Sequence, residues 1–185
     1  MKRSILFLLS ILLLFNLSIY SNEKFMISFS GNLLSPSDSN FKDIYGSSIF
    51  YPELNIGYKV YKNFYLWAGY SFLTKNGTTP VLKLETKSTQ NYISFGAGYN
   101  GNFSNKFGYR VKLGVFNVNY KEEAMEEEVK NSAIGFRIDV GIIFNINKNI
   151  FTDINIGYLY ASDTIEEESI KLGGLKTGIG VGFRF

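Results

Sequence analysis

The chain of 185 residues has no cysteine and no histidine, and each absence closes off a chemistry. Without cysteine there is no disulfide framework, no thiolate nucleophile, no cysteine-ligated zinc and no thiol to carry a lipid after a leader. Without histidine the commonest general base and the commonest metal ligand are both missing, which argues against an enzyme and against a bound metal or cofactor. Charge is also sparse. Charged residues reach only 19%, below the ~25% usual in soluble proteins. The net charge of +3 comes from basic residues scattered singly, so the basic patch of a nucleic-acid binder is missing. What is abundant is aromatic: 17 Phe and 13 Tyr bring the aromatic share to 17%. Rings accumulate in large soluble cores and in the headgroup belts of membrane proteins, and composition does not choose between them.

Residues 1–21 read as a secretory signal peptide. Lys2 and Arg3 form its positive start, Ile5 to Phe15 its apolar run and Ser18 to Ser21 a small, polar exit, with cleavage after Ser21. The competing reading is an uncleaved anchor helix, because Ser4 to Tyr20 approaches the ~17-residue lower limit for a membrane span. Asn16, Ser18 and the lack of a following stop-transfer charge cluster weigh toward cleavage. Residues 22–185 hold no apolar run long enough for a transmembrane helix, so strands must do any spanning.

Those residues follow a period of two, the mark of strands whose faces differ chemically. On the clearest segment Ile134, Phe136, Ile138, Val140, Ile142, Phe144 and Ile146 share one face; Gly135, Arg137, Asp139, Gly141 and Asn145 share the other, with Ile143 the exception. The pattern recurs eight times. Phe25, Ile27, Phe29 and Leu33 oppose Ser28, Ser30 and Asn32, and Leu54, Ile56, Tyr58 and Val60 oppose Glu53, Asn55, Gly57 and Lys59. Leu66, Ala68, Tyr70 and Phe72 oppose Trp67, Gly69 and Ser71, and Ile93, Phe95, Ala97 and Tyr99 oppose Ser94, Gly96, Gly98 and Asn100. Tyr109, Val111, Leu113 and Val115 oppose Arg110, Lys112, Gly114 and Phe116. Ile154, Ile156, Tyr158 and Tyr160 oppose Asp153, Asn155 and Gly157, and Thr177, Ile179, Val181, Phe183 and Phe185 oppose Lys176, Gly178, Gly180, Gly182 and Arg184.

Energetics orient these faces. Turning the sixth strand over would put Arg137 and Asp139 on lipid, where an arginine near the midplane costs ~2 to 4 kcal/mol. A soluble, lipocalin-like barrel would reverse the arrangement, packing the bulky apolar set inside and leaving glycines over much of the wet surface. A lumen of glycines, small polar groups and charges suits a membrane barrel better, because the glycines leave room for long neighbours.

The connections alternate in length. Three are short (Tyr61 to Asn63, Gly101 to Asn105, Asn147 to Asn149) and four are long (about Ser35 to Ser48, Lys75 to Ser88, Lys121 to Asn131, Ser162 to Ile170). Short periplasmic turns, long external loops and both termini on the periplasmic side follow from that rhythm. The parity of the inward positions predicts short turns with an odd number of residues, three being the expected length, with Asn63 and Asn149 at the left-handed positions. The expected fold is therefore all-β: a closed antiparallel up-and-down transmembrane β-barrel of eight strands, with ten the runner-up, over residues 22–185.

This pattern resembles the family of small eight-stranded outer-membrane barrels that includes the OmpA transmembrane domain and OmpX-like proteins. The most specific point of likeness is the end of the chain: Gly180, Phe183 and Phe185 match the signal by which barrel-assembly machinery recognises a final strand, although Gly178 stands where the family usually has a polar residue. The resemblance implies a monomer in the bacterial outer membrane, with outer-membrane lipid, lipopolysaccharide and that assembly machinery as partners. Enzymes on such barrels rely on a histidine that this chain lacks.

Two groups of residues are candidates for function. The inward charges Glu53, Lys59, Arg110, Lys112, Arg137, Asp139, Asp153, Lys176 and Arg184 are expected to pair across a narrow lumen filled by polar side chains; the alternative is an ion or proton path. The acidic loops, Glu122, Glu123, Glu126, Glu127 and Glu128 and then Glu166 to Glu168, read as solvated surface rather than a cation site, because no calcium-loop spacing is present. The expected role is structural or one of surface interaction, with a narrow pore or transporter for small or hydrophobic solutes as the alternative.

Overall fold

The computed structural model describes residues 23–124, 127–165 and 168–185, so the expected leader, residues 1–21, lies outside the described residues, as do Glu126, Glu166 and Glu167. Eight antiparallel strands close in chain order: β1 (Phe25–Pro36), β2 (Ile49–Tyr61), β3 (Phe64–Thr78), β4 (Glu85–Asn102), β5 (Phe107–Ala124), β6 (Glu127–Asn145), β7 (Ile150–Ile165) and β8 (Glu168–Arg184). β8 returns to pair with β1, from Met26↔Arg184 to Pro36↔Gly174, so the sheet has no free edge. The count is eight, not ten.

Each face points where its chemistry requires. On β6, Phe136 is 56% and Ile134 77% exposed, whereas Arg137 is 1% and Asp139 3% exposed. A soluble barrel would place those groups the other way round. An outward Phe, Ile or Leu left in water forfeits about 1.5 to 3 kcal/mol each, so a belt of them built from every strand requires hydrocarbon around it. Ile143, the exception to the alternation, is inward and fully buried near the short-turn end.

Pairing around the short turns keeps the expected parity, as in Glu53↔Ser71, Gly96↔Gly114 and Asp139↔Gly157. Two of the turns have the expected three residues: the closing hydrogen bonds Phe103 N→Phe107 O (2.9 Å) and Ile146 N→Ile150 O (3.0 Å) leave 104–106 and 147–149 between them. The third differs, since Tyr61↔Phe64 encloses two (62–63). An irregularity between Lys59 and Tyr61 restores the parity there, as a β-bulge does by adding one unpaired residue. Lys62, at φ 47°, takes the left-handed position rather than Asn63. Asn149 does not take it either; in its turn the Asn147 side chain accepts from the backbone N–H of Asn149 (2.9 Å) and Ile150 (2.7 Å).

The long connections are not loops for the most part. β3 and β4 stay paired out to Thr78↔Glu85, β5 and β6 to Ala124↔Glu127, and β7 and β8 to Ile165↔Glu168, so three of them are hairpin arms rising beyond the apolar belt. Asn91, Asn117, Asn119 and Ser132 replace apolar residues on the outer face there. Outside hydrocarbon both faces of a strand can be polar, which erases the alternation that marks it in sequence.

The remaining connection, between β1 and β2, carries a helix, α1 (Ser39–Tyr45). Asp38 caps it by accepting from Phe41 N (3.0 Å), and Gly46 ends it at φ 92°, a conformation that suits a residue without Cβ. The second oxygen of Asp38 accepts from Lys171 N on β8 (3.1 Å), and Ser37 N donates to Gly173 O (3.0 Å), so the cap also ties α1 to the barrel wall. Close approach to β3 depends on Gly77, where an added Cβ would lie 2.5 Å from Ile44 O.

Candidate functional site: a lumen closed in two zones

Toward the short turns the lumen is closed by charge. Arg137 on β6 lies at the centre, donating from Nη2 to both oxygens of Glu53 on β2 (3.0 Å each) and from Nε to Asp139 Oδ2 (2.9 Å). Lys176 on β8 bridges the same two carboxylates, 2.7 Å from Glu53 Oε2 and 2.7 Å from Asp139 Oδ1. Lys112 on β5 adds 3.4 Å to Glu53 and 3.3 Å to Asn55 Oδ1, and Arg137 Nη1 reaches Ser94 Oγ on β4 at 3.2 Å. Trp67 on β3 covers the group: Lys112 Nζ lies 4.7 Å and the Arg137 guanidinium 5.2 Å from its ring centroid. Six strands are thereby joined through one buried cluster. Gly114 makes room for that ring, since a Cβ there would sit 2.6 Å from it.

A second pair lies nearer the mouth. Arg110 Nη1 meets Asp153 Oδ2 at 3.0 Å, its Nε meets Asn100 Oδ1 at 3.2 Å, and its guanidinium lies 5.0 Å from the Phe151 ring centroid. Between the two groups remains a cavity of about 20 Å³, roughly the size of one water. Lys59 and Arg184, expected in the network, stand apart from it. Lys59 is exposed at the mouth, whereas Arg184 donates to Asn145 Oδ1 (2.9 Å) and stacks 4.4 Å from Phe151.

Toward the long hairpins the lumen is filled mainly by apolar and aromatic groups, with Thr86, Ser88 and Gln90 buried among them, which corrects the expectation of polar filling throughout. Leu34, Ile49, Tyr51, Leu73, Tyr92, Phe116, Val118, Leu159 and Leu172 form one buried cluster, topped by Tyr45 of α1. The rings interlock, Tyr51 against Tyr92 edge-on at 5.3 Å and Tyr92 against Phe116 at 5.6 Å. Most of these positions lie on strand ends beyond the segments delimited in the sequence, although Phe116 was already recognised as an inward ring. The two zones meet at Ser71, whose hydroxyl bonds to Tyr51 OH at 2.5 Å.

Among the described residues no group of three potential metal ligands comes together. Lys121 sits between Glu123 and Glu128, 2.5 Å from each. Glu122 instead accepts from the Tyr45 hydroxyl, and burial holds its carboxyl above the ordinary range. At the end of the chain, Phe183 pairs with Ile27 and Ile150, and Phe185 exchanges backbone hydrogen bonds with Phe25 (2.8 and 2.9 Å) while stacking on its ring. Gly180 lies between Ser30 and Asp153, where a Cβ would approach Asp153 Oδ1 to 3.0 Å.

A family model described as outer membrane protein beta-barrel domain matches residues 15–185. The chain belongs to that family. Among solved structures, the neisserial surface protein A superposes with a TM-score of 0.66 at 14% identity, covering 87% of this chain and 97% of the other. OprG from Pseudomonas aeruginosa gives 0.68 at 15% identity, covering 88% and 95%, and Ail of Yersinia pestis 0.54 at 15%, covering 88% and 97%. At such identities the likeness is one of fold. No curated protein matches in sequence. This outer-membrane barrel sits in a lipid bilayer with its apolar belt against hydrocarbon, and its family places it in the bacterial outer membrane.

Proposed function

We propose that this is a non-enzymatic, closed outer-membrane barrel whose role is structural or lies in surface contacts made by its hairpin arms. The observation that supports this is the filled lumen: a buried charge cluster on one side, interlocked rings on the other, and about 20 Å³ of space in the charged zone. A hydrated ion needs an open polar path, and the interlocked rings of Tyr51, Tyr92 and Phe116 stand across the lumen. Short turns face the periplasm in such barrels, which puts α1 and the acidic arms outside, next to lipopolysaccharide. Residues 1–21 serve as a cleaved leader in this reading, and Gly180, Phe183 and Phe185 as the contact for barrel-assembly machinery.

Planar-bilayer recording tests the role. The refolded barrel is expected to be electrically silent at neutral pH, and stepwise single-channel currents would transfer the protein to the pore or transporter reading. Exchange of Phe183 and Phe185 for serine tests the assembly contact, with loss of outer-membrane insertion expected in cells.

A further inference from the structure

The short-turn end carries one lysine at each of its four corners. Lys24 precedes β1, Lys62 lies in the β2–β3 turn, Lys106 in the β4–β5 turn and Lys148 in the β6–β7 turn. Because the strands close in chain order, these corners are two strands apart all the way round the barrel. All four side chains are exposed, and none enters an ion pair among the described residues. Glu23 is the one side-chain carboxylate described in these turns, whereas Glu85, Glu122, Glu123, Glu127, Glu128 and Asp163 lie at the opposite end.

Each lysine also adjoins the edge of the apolar belt. Phe25 follows Lys24, Phe107 follows Lys106, and Ile146 lies two residues before Lys148, all with exposed side chains. Lys62 Nζ lies 5.2 Å from the Tyr61 ring centroid. A lysine beside outward rings keeps its stem on apolar surface and its ammonium at headgroup depth. A folded protein or a polymer strand would meet such a ring from one side, whereas lipid headgroups surround it. We propose that the ring binds anionic phospholipid headgroups of the leaflet that the short turns face, the periplasmic one. The selectivity is electrostatic, on the order of fivefold at each lysine, and it falls with salt. It does not depend on whether the lumen conducts.

The test uses the folded barrel in phosphatidylcholine vesicles, with spin-labelled phosphatidylglycerol or phosphatidylcholine as the probe of lipid held at its surface. Wild type is expected to favour phosphatidylglycerol several-fold. The quadruple variant with Lys24, Lys62, Lys106 and Lys148 changed to Gln should favour neither, the quadruple Lys→Arg variant should keep the preference, and Lys87→Gln with Lys130→Gln at the far end should leave it intact. If the quadruple variant does not fold, the four single Lys→Gln variants each carry a partial loss. Equal retention of both lipids by wild type, or full preference in the Gln variants, overturns the proposal. So does binding of peptidoglycan sacculi that the same lysines control while lipid preference stays unchanged.

Discussion

On the short-turn side of Ser71 and Ser94 the lumen is held shut by seven paired charged side chains; on the other side of those serines it is filled mainly by rings and aliphatic groups. The charged zone is directional. Each carboxylate of Glu53 and Asp139 contacts Arg137 and Lys176, so the angle between distant strands is fixed by bonds of defined geometry. The apolar zone is non-directional and is specified by volume. The same closed ring of strands thus uses two kinds of filling, and they should fail differently.

The largest effect is expected from Arg137→Met. It leaves Glu53 and Asp139 buried with part of their countercharge gone, which costs about 3 to 5 kcal/mol in urea unfolding of the barrel in lipid vesicles. Changing Glu53, Lys112, Arg137, Asp139 and Lys176 together to apolar residues of similar volume, so that no charge of the cluster is left without a partner, should recover most of that loss, and failure to recover would show that this zone is not governed by pairing. In the apolar zone Leu73→Ala should cost about 3 kcal/mol through the cavity it leaves, with no partner change able to rescue it except refilled volume. Gly114→Ala is expected to cost about 2 kcal/mol, because the new methyl meets the Phe95 carbonyl oxygen at 2.5 Å and the Trp67 ring at 2.6 Å, and the single tryptophan's emission should shift in the same sample. Tyr45→Phe, which removes only the hydrogen bond to Glu122, should cost about 1 kcal/mol and speed hydrogen exchange in α1 while leaving that of Arg137's neighbours unchanged.

The comparison also shows where the sequence was readable. Arg137, Asp139 and Glu53 were identifiable as inward because apolar residues flank them on strands that cross hydrocarbon, and a period of two assigns their side unambiguously. Thr86, Ser88, Gln90 and Tyr92 point inward too, yet their outward neighbours Lys87, Thr89 and Asn91 are polar, so no alternation reveals the strand. The arms and the upper half of the lumen were missed for that reason. Trp67 was visible as an inward residue, but nothing local indicated that two cations from β5 and β6 would lie over it.

By itself the sequence determined that the chain is a strand-built membrane barrel, which face of each spanning strand meets lipid, and which charges go inside. Those are properties of neighbours two residues apart, and transfer energies act on them directly. Which charge meets which, where polar filling gives way to apolar, and that α1 covers one end were decided only by closure of the ring. Glu53 and Arg137 are 84 positions apart, and only the register of the strands between them brings the two together.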